Sequence, residues 1–162
     1  MDLSFPKNLS VNSNVPLDTY MNTKFMLTLP TIDNIVEKIV KLGRVSMLFK
    51  VDIARAFRHL KIDPADFRFL DIFNEGFYYD TALAFDFRHG STFFQRTSDS
   101  IRSIMMTKGY DVINYIDDVI GLGVPSVATK SYETLVSLLQ ELGLDINESK
   151  NNPPNTVTAL GH

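Results

Sequence analysis

Val112-Ile113-Asn114-Tyr115-Ile116-Asp117-Asp118-Val119-Ile120-Gly121-Leu122 sets two apolar runs on either side of an adjacent pair of acids. Val- and Ile-rich runs of this length favour strands. With only Asp117-Asp118 between them, the stretch reads as a tight hairpin carrying carboxylates at its tip. Adjacent like charges repel, and burial would raise the pKa of at least one of them. A turn lowers that cost by letting the acids project into water. A bound divalent cation lowers it further, because Mg²⁺ takes oxygen ligands and keeps several waters, so a few carboxylates suffice. A solvated acidic turn with no ligand is the alternative.

The rest of the chain supplies elements to pack against this hairpin. Residues 1–30 have no sustained period and carry Pro6, Pro16 and Pro30. They read as an irregular arm, with an extended piece at Phe25-Met26-Leu27-Thr28-Leu29. Ile32, Ile35, Val36, Ile39 and Val40 repeat at helical spacing, with Thr31 as N-cap and Gly43 as stop. Ser46 to Ile53 reads as a strand interrupted by Lys50, and Asn74-Glu75-Gly76 reads as a turn between two aromatic-rich strands, Phe67 to Phe73 and Phe77 to Asp80. Helices are expected over about Ser91–Lys108 and Val127–Leu142, the second with a stripe of Leu135, Leu138, Leu139 and Leu142. A loop carrying Pro153-Pro154 then leads to a short strand, Thr156 to Leu160. This order predicts an α+β fold, an antiparallel sheet with helices packed on one face.

A third acid, Asp52, closes an apolar strand more than sixty residues before the hairpin. By itself it reads as a cap. If its strand neighbours the hairpin, three carboxylates converge as two-metal phosphoryl transfer requires. The composition sets limits on other functions. The 162 residues carry 16 Lys and Arg against 19 Asp and Glu, a formal net charge of −3. This excludes a compact domain that holds nucleic acid by bulk charge alone. A plain RNA-binding module is disfavoured for the same reason. Residues 44–68 nonetheless hold six basic and three acidic side chains, a local positive balance around Asp52. The absence of Cys excludes disulfide scaffolds and thiolate zinc sites. No apolar run reaches membrane-spanning length, and the first residues do not look like a signal peptide. The expectation is an intracellular protein, cytoplasmic or nuclear, with no membrane partner.

Taken together, these motifs resemble the palm of reverse transcriptases, the RNA-directed DNA polymerases. Tyr115-Ile116-Asp117-Asp118 is similar to the family's Tyr-x-Asp-Asp box. Phe49-Lys50-Val51-Asp52-Ile53-Ala54-Arg55-Ala56-Phe57 is similar to its first catalytic motif, an Asp five residues before an aromatic. Asp2-Leu3-Ser4-Phe5-Pro6 resembles the segment joining fingers to palm, Leu142 to Lys150 the later lysine-bearing motif, and Ala159-Leu160-Gly161-His162 the start of the primer grip. The five motifs come in the family's order across nearly the whole chain. The wording around Asp52 is most similar to that of DIRS and Ngaro retrotransposons. The resemblance implies a finger-to-palm arm over 1–30 and a palm over 31–162, with fingers and thumb truncated.

Position by position, the resemblance implies that Asp52, Asp117, Asp118 and the Ile53 carbonyl hold two Mg²⁺ ions, with Mn²⁺ as a substitute. Lys150 is then the catalytic lysine near the pyrophosphate; a solvated loop Lys is the alternative. Phe57 is the gate against a ribose 2′-hydroxyl, or otherwise a core aromatic. Phe85 and Arg88 contact the nucleotide, and Tyr115 lies against the primer end. The implied partners are an RNA or DNA template-primer and dNTPs. The family's Leu-Pro-Phe-Gly-Leu-x-x-x-Pro stretch reads here Leu83-Ala84-Phe85-Asp86-Phe87-Arg88-His89-Gly90-Ser91, and the primer-grip Phe is Ala159. Asp86 in place of the Gly sets a carboxylate where phosphates should pass. The expectation is therefore little or no activity from the isolated chain. A catalytically inactive relic, acting at most as a binding or interaction domain, is the alternative.

Overall fold

Alternation along Met47–Asp52 puts Phe49 and Val51 on one side of the strand and Lys50 and Asp52 on the other. Phe49 and Val51 are fully buried. In a computed structural model, residues 2–20, 23–24, 26–43, 46–73 and 75–156 are described. In chain order the elements are β1 (Thr19–Tyr20), β2 (Thr23–Lys24), α1 (Ile32–Leu42), β3 (Met47–Asp52), β4 (Asp71–Phe73), β5 (Phe77–Tyr79), α2 (Gly90–Thr107), β6 (Val112–Tyr115), β7 (Asp118–Gly123), α3 (Pro125–Glu141) and β8 (Asn152–Thr156). Short 3-10 turns lie at Asn12–Asn14, Ala56–His59 and Pro64–Phe69. The fold is α+β. The chain divides into two compact units, residues 1–27 with 55–94 and residues 28–54 with 95–162.

The second unit holds an antiparallel sheet in the order β6-β7-β3-β8. Its central pair, β3 and β7, runs in unbroken register from Met47↔Gly123 to Asp52↔Asp118. Phe49 lies opposite Gly121, and a Cβ on Gly121 would fall 2.0 Å from the Phe49 ring. The missing side chain therefore makes room for the ring, whose edge meets Tyr132 of α3 at 5.6 Å. Leu135, Leu138 and Leu139 of α3 are buried as their spacing predicts, whereas Leu142 lies past the last turn and is half exposed. The helix starts at Pro125, two residues earlier than the apolar stripe suggested, because proline suits a first-turn position that lacks an N–H partner.

α1 has the predicted bounds, and the Asn34 side chain accepts a hydrogen bond from the Thr31 N–H. None of its residues is fully buried; Ile32 is 77% and Val40 74% exposed. At the β8 edge of the sheet, the expected loop at Pro153-Pro154 is instead part of that strand. An edge strand tolerates proline because one row of its N–H groups has no ladder partner, and the pairing with β3 shifts between Leu48 and Lys50.

The first unit carries two small hairpins, β1-β2 and β4-β5. The Phe67 and Phe69 positions, expected to begin a strand, belong instead to the Pro64–Phe69 turn, which Asp63 caps by accepting from the Ala65 N–H. The extended piece expected at 25–29 forms no strand over Met26–Leu29. Phe25, Asn74 and the residues of the expected last strand and primer grip beyond Thr156, including Ala159, lie outside the described residues.

Candidate functional site

In the second unit, the end of β3 meets the start of β7. Asp52 and Asp118 are direct register partners across the ladder. Asp117 occupies the turn, and its carbonyl accepts the Ile53 N–H at 2.9 Å. Asp118 is the first residue of β7, so the apolar hairpin carries one acid in the turn and one in the strand. Ile53 is buried at the end of β3, and Tyr115 is half exposed at the end of β6, opposite Asp118.

The turn is held by α2. The Gln95 Oε1 accepts the Ile116 N–H at 2.8 Å, and its Nε2 donates to the Asn114 carbonyl at 3.3 Å. The buried Asn114 amide donates to Ser98 and Asp99. Ile116 sits at φ +54°, a region costly for a β-branched residue, so the turn needs such outside support. Behind Asp52, residues 145–151 wrap against the end of β3. The Ala54 N–H donates to the Asp145 carbonyl, the Asn147 N–H to the Asp52 carbonyl, and the Asp52 N–H to Asn151 Oδ1. This wrap carries Lys150 to 3.4 Å from Asp52 Oδ2.

Two like charges opposite each other on a ladder destabilise it, and here each has a lysine. Lys50 Nζ lies 2.8 Å from Asp118 Oδ2, while Lys150 pairs with Asp52. Burial pushes the Asp117 carboxyl above the ordinary carboxylate range. The charges of Asp118 and Asp52 push it the same way, while its own backbone hydrogen bond and Lys150 oppose them. Asp117 therefore senses the charge of both other aspartates. Among the described residues, however, no three acidic, His or Cys side chains are gathered tightly enough to hold one ion as they stand. The chemistry of the site still suits a hard cation. Asp118 Oδ1 is buried with no hydrogen-bond partner, and carboxylate oxygens are the donors Mg²⁺ takes.

Phe57, Phe85 and Arg88 belong to the first unit. The Phe57 ring meets Phe85 edge-on at 5.4 Å and packs at a tilt on Phe94 at 6.1 Å. Gly90 lies beneath it, where a Cβ would fall 3.2 Å from the ring. Phe85 is 85% exposed. Asp86 turns its carboxylate toward the arm and accepts the Leu3 N–H at 2.9 Å, while the buried Asn12 amide donates to the Asp86 carbonyl. Arg88 donates from its guanidinium to the Val15 carbonyl and from its N–H to Asn12 Oδ1. The substituted loop is thus fastened to the N-terminal arm.

Sequence reading missed Lys50 as a site residue, although strand alternation already puts it on the face of Asp52. Gln95, Asn114, Asn147 and Asn151 gave no sequence signal, because their partners are set only by packing.

No family profile and no curated protein matches the sequence. Solved structures do. A foamy viral protease-reverse transcriptase in complex with double-stranded DNA superimposes with a TM-score of 0.69 at 20% identity, over 94% of this chain and 25% of that one. The prototype foamy virus protease-reverse transcriptase gives 0.63 at 19%, over 90% and 18% of the two chains. A further foamy viral complex with double-stranded DNA gives 0.66 at 18%, over 90% and 28%. The chain has a reverse transcriptase-like fold. It spans less than a third of the length of these proteins. No described helix is long and apolar enough to cross a membrane.

Proposed function

We propose that the chain is the palm part of an RNA-directed DNA polymerase from an intracellular retroelement of the DIRS or Ngaro type, built to add dNTPs to a primer 3′-hydroxyl on an RNA or DNA template. The observation that carries this reading is the cross-strand pairing of Asp52 with Asp118, with Asp117 in the turn beside them. Asp52, Asp117 and Asp118, with the Ile53 carbonyl, would hold two Mg²⁺ ions. When bound, the ions would supply the Lewis acidity that activates a hydroxyl nucleophile and the charge that steadies a pyrophosphate leaving group. Lys150 offers a proton and a positive charge at the edge of the same carboxylates. Tyr115 presents a half-exposed ring at the strand end, suited to a primer terminus. By the resemblance, Phe57 would be the gate that favours dNTPs, and Phe85 and Arg88 would be nucleotide contacts.

A second reading, an inactive relic that at most binds a partner, is favoured by the absence of a ready three-ligand cage among the described residues. Mn²⁺ titration of the intact chain, followed by the electron paramagnetic resonance of the free ion, separates the two. Binding that is lost in Asp52→Asn and Asp118→Asn supports the polymerase site; its absence from the unaltered chain supports the relic. Primer extension with Mg²⁺ or Mn²⁺ is expected to be weak or absent. Robust incorporation that Asp117→Asn abolishes would show instead a self-sufficient enzyme.

A further inference from the structure

We infer that Lys50 is the resident counter-cation of the carboxylate pair, holding Asp118 in position until a divalent ion displaces its ammonium group. The inference rests on the metal-binding reading above and deepens it. Lys50 registers with Ile120, so Asp118 is its diagonal neighbour on the adjacent strand, within reach of a long side chain. Its ammonium lies 2.8 Å from Asp118 Oδ2, and both side chains are more than two-thirds buried.

Asp118 Oδ1 meanwhile is buried and unpartnered. One oxygen of the carboxylate is thus held by a cation built into the chain, and the other is buried without a partner. The pairing of Asp52 opposite Asp118 would be repulsive without that charge, and β3 lies between β7 and β8 in the sheet. Lys150 also neutralises the pair, but from an exposed turn, and its ammonium sits farther from Asp52 at 3.4 Å. Lys50 and a divalent ion therefore compete for Asp118. The lysine steadies the metal-free sheet and weakens metal binding by the same contact.

The test compares the intact chain with Lys50→Met and Lys50→Arg, by Mn²⁺ titration and by thermal melting with and without Mn²⁺. Lys50→Met is expected to bind Mn²⁺ roughly five- to tenfold more tightly, since a unit charge within a few ångströms of the ion is removed. Its metal-free form should melt about 3 °C lower, and saturating Mn²⁺ should close that gap. Lys50→Arg, which keeps the charge, should melt near the unaltered chain and bind Mn²⁺ no more tightly. Unchanged or weaker Mn²⁺ binding in Lys50→Met, with the unaltered chain binding normally, overturns the inference and leaves the metal site standing. A metal-free Lys50→Met that melts like the unaltered chain overturns it as well. Mn²⁺ binding by neither protein removes the metal site and the inference with it, whereas binding by Lys50→Met alone supports the inference. If Lys50→Met does not fold, Lys50→Arg decides: an arginine variant that also fails to fold points to packing rather than charge and overturns the inference.

Discussion

Single side chains in this protein carry opposed demands, and Asp117 shows them most directly. Its carboxyl is pushed up by burial and by two neighbouring acids, so folding costs its ionised form free energy relative to the unfolded chain. Asp117→Asn is therefore expected to raise the melting temperature of the metal-free protein while weakening Mn²⁺ binding, a trade-off common at functional sites. Melting curves at pH 7 check the first part, and a melting temperature that falls would contradict it. The Arg58–Asp80 ion pair in the first unit shows the opposite sign. The hydrogen bond from Arg58 holds the Asp80 carboxyl below its ordinary range. That contribution is full above the unfolded pKa, about 4, and fades as pH falls through the folded value. Arg58 is half exposed, so solvent screens the pair. Arg58→Gln is expected to cost ~1 kcal/mol at pH 7 and progressively less as pH falls below about 4, by denaturant unfolding.

Secondary elements fit here through one close approach and one buried polar network. Gly121 leaves the space that the Phe49 ring fills, and nearby backbone cannot move far because the register on both sides is continuous. Gly121→Ala should destabilise the chain by about 2–3 kcal/mol through overpacking, and Gly121→Ala with Phe49→Leu should recover part of that. Urea denaturation of both variants checks it. Between α2 and β6, buried Asn114 donates to buried Ser98 and to exposed Asp99. Asn114→Ala removes both bonds, while Asp99 keeps the Gln95 amide and Ser98 the Gln95 carbonyl, with an expected cost of ~1–3 kcal/mol. Because α2 also supports the Ile116 turn through Gln95, faster hydrogen exchange at Ile116 is expected in Gln95→Ala.

For the molecule taken whole, charge and length set the expectation for nucleic acid. The net charge of −3 and a chain under a third the length of its structural neighbours leave few phosphate contacts. Binding of a primer-template duplex at physiological salt is expected to be about 10 μM or weaker, with a shallow salt slope. Fluorescence anisotropy across a salt series measures both, and nanomolar binding would contradict this. The local elements were readable because helical spacing over Ile32–Val40, the leucine stripe of α3 and the Val- and Ile-rich arms around Asp117 are properties of short segments. Their bounds agree with the sequence to within a few residues. The segments that read wrongly depended on distant partners. Pro153 and Pro154 enter a strand because β3 offers an edge, and Met26–Leu29 forms none because no strand among the described residues pairs with it. By itself, then, the sequence determined the α+β class, the acidic hairpin and the motif order, all of which follow from periodicity and turn chemistry along the chain. Only the tertiary structure decided that Asp118 faces Asp52, that Lys50 and Lys150 neutralise them, and that Asp86 fastens the arm. Register and packing join residues sixty or more positions apart, and no local pattern encodes which of them meet.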